Sequence, residues 1–142
     1  MGLALAEAEA AGAAGDVPVG AVVVRDGVVL AASGNRTVRD QDPTGHAELL
    51  AIRAAAGSLG SWRLGDCTLY VTMEPCAMCA GAAVWSRLGR VVFGCWDEKA
   101  GMAGSIEDLL RHPRLNHRPE VRGGVRAEES AALLRRFFGD RR

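Results

Sequence analysis

Two short cassettes hold the residues whose types and spacing could do chemistry: Thr44-Gly45-His46-Ala47-Glu48 and, thirty residues on, Glu74-Pro75-Cys76-Ala77-Met78-Cys79. Between them they offer one imidazole, two thiols and a spare carboxylate. A catalytic zinc site keeps three protein ligands and leaves the fourth position to water, and His46, Cys76 and Cys79 would supply such a set. Cysteines three apart share one face of a helical turn, so both sulfurs can grip one ion. The first turn of a helix carries roughly half a positive charge on its unpaired N–H groups, which favours the thiolate that a metal needs. Glu48, two residues after His46, falls beside the open position, where a carboxylate can take a proton from activated water and hand it to a leaving group.

Plainer readings exist for each piece. A lone Cys-x-x-Cys can be a redox pair, but Pro75 in front and the absence of a thioredoxin-like pattern argue against it. Cys67 and Cys95 lie in apolar runs and read as buried core residues rather than further ligands. Glu48 alone could be a first-turn residue favoured by the helix dipole. The joint presence of His-x-Glu and Pro-Cys-x-x-Cys carries the weight.

The elements that must position these cassettes are legible in outline. Residues 3–14 are rich in Ala and Leu and read as a helix ended by Gly15-Asp16. Residues 17–25 and 28–33 are β-branched runs separated by Asp26-Gly27, a strong hairpin signal. A polar loop, 34–45, delivers the chain to a helix that starts at His46, with Thr44 as its expected cap and Gly57 as its stop. Residues 67–73 read as a strand, and Pro75 is expected to open the next helix. Residues 90–95 give a fourth strand, a short helix is expected at 106–110, a fifth strand at 118–125 and a last helix at 128–138. The order predicts one α/β domain over 1–142, a mixed five-stranded sheet with helices on both faces.

Composition bounds the function. The 142 residues are 49% hydrophobic and 24% charged, which excludes disorder and fibrous folds, and the length allows a sizeable core. Seventeen cations balance seventeen anions, so a nucleic-acid partner would have to be held by a local patch rather than by a global field. Lys99 is the one lysine among the cations. No apolar run reaches the ~18 residues of a membrane span, Glu7 and Glu9 stand where a signal peptide would be basic, and no myristoylation signal follows Met1-Gly2. The expectation is a cytoplasmic protein with reduced or ligating cysteines.

His46-Ala47-Glu48 with Pro75-Cys76-Ala77-Met78-Cys79 resembles the signature of zinc-dependent nucleobase deaminases. The resemblance extends along the chain, through Val17-Pro18-Val19-Gly20-Ala21-Val22, Asn35-Arg36, Asp42-Pro43-Thr44, Thr68-Leu69-Tyr70-Val71-Thr72, Val91-Val92-Phe93-Gly94, His112-Pro113, Asn116-His117-Arg118 and Phe137-Phe138, and is to the bacterial tRNA-specific adenosine deaminases. It implies a three-layer α/β/α cytidine deaminase-like fold, a homodimer, one zinc ion per subunit on His46, Cys76 and Cys79, and conversion of adenosine to inosine at the wobble position of a tRNA anticodon. Water activated on zinc would attack C6 of the base, with Glu48 as proton shuttle. The RNA implied is the anticodon stem-loop of an arginine tRNA with an ACG anticodon. Asn35 matches the residue that holds the flipped base, while Asp97, Lys99, His112, Asn116, His117, Arg118, Phe137, Phe138, Arg141 and Arg142 match the anticodon-loop contacts.

The chain departs from that pattern in a few places. Cys95, Trp96 and Met102 are bulkier than the family pattern expects, and Gly45 replaces an alanine. Two other functions fit the same cassettes: a zinc deaminase of a free base or nucleoside such as cytosine, cytidine or guanine, and a zinc-stabilised RNA-binding module without catalysis. The Asn116-His117-Arg118 segment and the basic aromatic tail disfavour the first, because a small substrate needs neither.

Overall fold

A computed structural model describes residues 1–139 of the chain. The elements run α1 (Gly2–Ala13), β1 (Gly20–Arg25), β2 (Val28–Gly34), α2 (Ala47–Leu59), β3 (Thr68–Met73), α3 (Ala77–Trp85), β4 (Arg90–Cys95), β5 (Glu120–Arg122) and α4 (Ala127–Gly139). The five strands form one mixed sheet in the order β2-β1-β3-β4-β5. Strands β2, β1 and β3 are antiparallel neighbours, and β3, β4 and β5 run parallel. Helices α1 and α4 pack together on one face, and α2 with α3 lies on the other. This is the expected three-layer α/β/α arrangement.

Local chemistry accounts for most of it. Asp26 and Gly27 both take positive φ, 50° and 77°, as a tight hairpin turn requires. Strand β4 is covered on both faces and is correspondingly apolar without alternation, with Val91 to Cys95 all buried. Helix α1 buries Ala4, Leu5, Ala8 and Ala11, and the three alanines are small enough to let its backbone lie directly on the β1–β2 hairpin. Gly20 and Gly34 are register partners there. A methyl group on Gly20 would stand 2.0 Å from the Ala4 carbonyl oxygen, and one on Gly34 would stand 2.7 Å from the Glu7 carbonyl oxygen.

Several local expectations are corrected. Residues 106–110 form no helix; a bridge between Ala103 and Asp108 replaces it, because the chain here is pinned by hydrogen bonds to a distant carboxylate described below. The fifth strand is Glu120–Arg122, shorter than 118–125. The first strand begins at Gly20, since the Val19 amide turns back to the Val17 carbonyl at 2.8 Å. Pro75 precedes α3 by two residues, leaving Cys76 at the N-cap position. Thr44 does not cap α2; its hydroxyl and amide both donate to Asp42.

Candidate active site

The parallel pair β3 and β4 ends at Met73 and Cys95, and a crevice beyond the carboxyl ends of parallel strands is where α/β proteins place ligands. Both helices of the adjoining layer begin there. His46 is the N-cap residue of α2 and Cys76 that of α3, each with extended backbone and no capping bond from its own side chain. The α2 terminus is satisfied from elsewhere: the Ala47 amide donates to Asn35 Oδ1 at 2.8 Å. That bond commits the oxygen of the buried Asn35 side chain and makes its NH2 group the end available to a ligand.

His46 Nδ1, Cys76 Sγ and Cys79 Sγ all lie within 4.8 Å of one another, a grouping suited to one metal ion. The imidazole nitrogen stands 3.5 Å from the Cys76 sulfur and 3.6 Å from the Cys79 sulfur. Cys76 is the thiol that yields its proton first. Its pKa is pushed down to about 3, chiefly by the hydrogen bond from Cys79, with His46 adding to the effect and desolvation opposing it. Cys79 moves the other way, held protonated by its bond to Cys76, by burial and by the nearby Glu48 charge. His46 is raised by its bond to Cys76, against desolvation. Nitrogen and sulfur donors of this kind suit a borderline-soft divalent ion rather than calcium or magnesium.

Glu48 is 4% exposed. Burial pushes its carboxyl up to about 7, with the negative Cys76 sulfur adding to the shift, while its own backbone amide, His46 and Cys79 pull against it. It sits in the first turn of α2, in the wall of a cavity of about 790 Å³ that also exposes Asn35, His46, Cys76, Asp97, Lys99 and Phe138.

One wall of that cavity is organised by Glu74, 3% exposed. Its carboxylate accepts from the amides of Asp97 (2.9 Å), Ala103 (2.9 Å) and Ser105 (3.0 Å) and from the Ser105 hydroxyl. Burial works to raise this carboxyl, and the four donors outweigh it and hold it below its ordinary value. The cavity is also lined by Asp16, 1% exposed, whose carboxylate accepts the Val38 amide at 2.7 Å and pairs with Arg39 at 3.3 Å. Asp16 thereby ties the end of α1 to the loop that carries Asn35. A lone aspartate after a helix gives no sequence signal for such a tether, and it was legible only as a helix stop.

Comparison with known proteins agrees with this geometry. A family model of MafB19-like deaminases matches residues 1–142. The tRNA-specific adenosine deaminase of Bacillus subtilis (strain 168) is 47% identical over 98% of this chain and 86% of its own length. The chain belongs to the tRNA-specific adenosine deaminase family. A solved structure from work on A-to-I editing by tRNA:A34 deaminases at the wobble position of transfer RNA shares 46% identity, superimposes with a TM-score of 0.91, and covers 94% of this chain and 97% of its own. A tRNA(Ile)-lysidine synthase of Deinococcus radiodurans is 50% identical over 99% of this chain, which spans 24% of that longer protein.

Against the family pattern, the expected site residues fall into two groups. Asn35, His46, Glu48, Cys76, Asp97, Lys99 and Phe138 line the cavity, and Cys79 lies behind it, fully buried. The Asp97 side chain is engaged in its own turn, accepting the Lys99 and Ala100 amides at 3.0 and 3.2 Å. His112, Asn116, His117 and Arg118 do not line the cavity. His112 Nδ1 accepts the Arg114 amide at 3.1 Å, His117 Nε2 donates to the Leu88 carbonyl at 2.6 Å, and the Arg118 guanidinium donates to the Pro113 and Leu115 carbonyls at 3.3 and 3.0 Å. Phe137 packs edge-on against Phe138 at 5.3 Å. Arg141 and Arg142 lie outside the described residues.

Proposed function

We propose that this chain converts adenosine to inosine at the wobble position of a tRNA anticodon, with a zinc ion held by His46, Cys76 and Cys79. The observation that carries the proposal is a buried carboxylate, Glu48, lining the same cavity as His46 and Cys76 of a His/Cys/Cys set suited to one metal ion, in a chain nearly half identical to tRNA-specific adenosine deaminases over almost its whole length. The ligand set fits zinc. Tetrahedral zinc with nitrogen and sulfur at their usual bond lengths places those donors about 3.6 Å apart, and the imidazole–sulfur distances are 3.5 and 3.6 Å.

Bound zinc supplies a Lewis acid that lets water lose a proton near neutral pH. The protein does the rest. Asn35, its oxygen committed to the α2 amide, offers its NH2 group to an acceptor on the base. Glu48 carries a proton to ring nitrogen N1 while the water oxygen adds at C6, then protonates the amine that leaves as ammonia. The balance is adenosine plus water to inosine plus ammonia. A base inside a helix stack could not reach Glu48, so the substrate must present it unstacked, as an anticodon loop can.

The finer reading is an arginine tRNA with an ACG anticodon, acted on by a cytoplasmic homodimer. It is supported by the family resemblance and by the aromatic and cationic side chains at the rim, Phe138 and Lys99. In this reading Asp97, His112, Asn116, His117, Arg118, Phe137, Arg141 and Arg142 act on the RNA outside the base pocket. Among the described residues no helix is long and apolar enough to cross a membrane. The deciding assay offers an ACG-anticodon hairpin, free adenosine, cytidine and guanine to the purified zinc-loaded protein. Inosine in the hairpin with inert free compounds is expected, and turnover of a free compound with an inert hairpin would replace this reading with a small-molecule deaminase. Glu48→Ala is expected to keep its zinc and lose deamination; a fully active variant would remove Glu48 from the chemistry.

A further inference from the structure

Trp96 is a large apolar side chain, 51% exposed, that lines the same cavity as Asn35, His46 and Glu48. Exposing such a ring forfeits burial energy unless something covers it in use. The ring is also held still. Phe93, fully buried in β4, meets it edge-on with centroids 4.8 Å apart and planes at 87°. The Phe93 ring is in turn seated against Gly123, where a methyl group would stand 2.4 Å from it. The backbone is pinned on both sides of Trp96, by the Ser130 hydroxyl accepting the Cys95 amide at 3.0 Å and by Glu74 accepting the Asp97 amide at 2.9 Å.

Two glycines lie against the edge of the ring and add no side chain there. Gly104 takes a φ of 132° and a methyl group there would touch the ring at 3.6 Å, while one on Gly124 would reach the indole nitrogen at 3.9 Å. The cavity, about 790 Å³, is larger than a single nucleobase occupies. A base seated between Asn35 and Glu48 therefore leaves room beside Trp96 for its neighbour in the chain. A rigid exposed aromatic ring next to space for a second base is how proteins grip single-stranded nucleic acid by stacking, with little entropy lost on contact.

We infer that Trp96 is the stacking platform for a nucleotide that flanks the target base, and so is a determinant of substrate binding. The inference rests on the anticodon-loop reading above. Stacking needs only the π face that every base has, so the platform serves a pyrimidine, such as the cytidine that follows the target in an ACG anticodon, as well as a purine.

The test compares wild type, Trp96→Ala and Trp96→Phe on the ACG hairpin and on two further hairpins lacking the base immediately 5′ or immediately 3′ of the target adenosine. Trp96→Ala is expected to raise KM on the order of 10-fold with kcat little changed, and Trp96→Phe to recover most of the loss. On one of the two abasic hairpins wild type should fall to the level of Trp96→Ala, the two proteins becoming equal. Equal zinc content in the three proteins keeps a folding defect apart from a binding one. A Trp96→Ala protein with wild-type KM on the intact hairpin overturns the inference, as does a defect that persists undiminished on both abasic hairpins. Wild type inert on the intact hairpin would instead overturn the anticodon-loop reading itself.

Discussion

The carboxylate of Glu74 and the backbone amide of Asp97 are joined by a 2.9 Å hydrogen bond, which ties the segment leading to Cys76, a proposed metal ligand, to the loop that brings Trp96 and Lys99 to the same cavity. The same carboxylate also takes the Ala103 and Ser105 amides and the Ser105 hydroxyl. One side chain thus stands in for the secondary structure that this loop lacks.

Glu74→Ala removes the acceptor for three amides and a hydroxyl at once. A buried donor left without a partner costs about 1–3 kcal/mol, so even with partial rescue by water the loss should be about 3 kcal/mol of stability. Urea unfolding measures it, and hydrogen exchange should show the amides of Asp97, Ala103 and Ser105 losing protection together. Gly101→Ala provides an independent route to the same defect, because its methyl group would stand 2.3 Å from the Glu74 carboxylate. Unchanged exchange at these amides in both variants would show that Glu74 does not organise the loop.

Helix α1 meets the hairpin backbone to backbone at Gly20, where an added methyl group would lie 2.0 Å from one α1 carbonyl oxygen and 2.5 Å from the Ala8 amide nitrogen. Backbone cannot swing aside as a long side chain can, so Gly20→Ala should cost about 3 kcal/mol, at the upper end of overpacking effects. Gly57 offers the opposite case: it is exposed within α2, and a methyl group there meets nothing within 4 Å. Gly57→Ala should stabilise by about 0.5–1 kcal/mol through helix propensity. Thermal midpoints that move the same way for both variants would refute the close-approach argument.

These two sites show what the sequence carried and what it did not. The hairpin was legible because Asp26-Gly27 is a local signal, and the ligand cassettes because His-x-Glu and Cys-x-x-Cys fix geometry within one helical turn. The expected helix at 106–110 failed because its competitor is Glu74, some thirty residues away, which takes the amides of Ala103 and Ser105. Thr44 was misread as a cap for the same reason: the true partner of the Ala47 amide is Asn35, 12 residues upstream. His112, His117 and Arg118 look like free polar side chains in a string of letters, but each has one nitrogen engaged with a backbone partner. Contacts that close over long stretches of chain leave no periodicity to read.

Metal removal should separate site from fold. The core around Leu64, Leu69, Leu88 and Phe93, all 0% exposed, does not depend on the ligand set, so chelated protein should keep its far-ultraviolet circular dichroism while losing deamination. A ligand at about 1,000 times its dissociation constant adds about 4 kcal/mol to stability, on the order of 10 °C in midpoint for a chain of this size. Zinc readdition should restore both midpoint and activity. Cys76→Ser should hold less than one zinc per chain and show no such recovery. Loss of secondary structure on chelation would instead make the metal part of the fold.

In the proposed mechanism Asn35 has two separable jobs, since its oxygen accepts the first amide of α2 at 2.8 Å and its NH2 group would hold the base. Asn35→Ala loses both and should cost about 1 kcal/mol of stability as a lost helix cap, together with activity. Asn35→Asp keeps an acceptor at the helix start, where a negative charge is favoured, but has no NH2 to offer. Its stability should therefore lie within about 1 kcal/mol of wild type while deamination falls on the order of 100-fold, the scale on which a site loses rate with one misplaced polar contact. Denaturation midpoints and hairpin kinetics read the two jobs apart. If Asn35→Asp deaminates as wild type does, the side chain is a helix cap alone and the base is held by other groups.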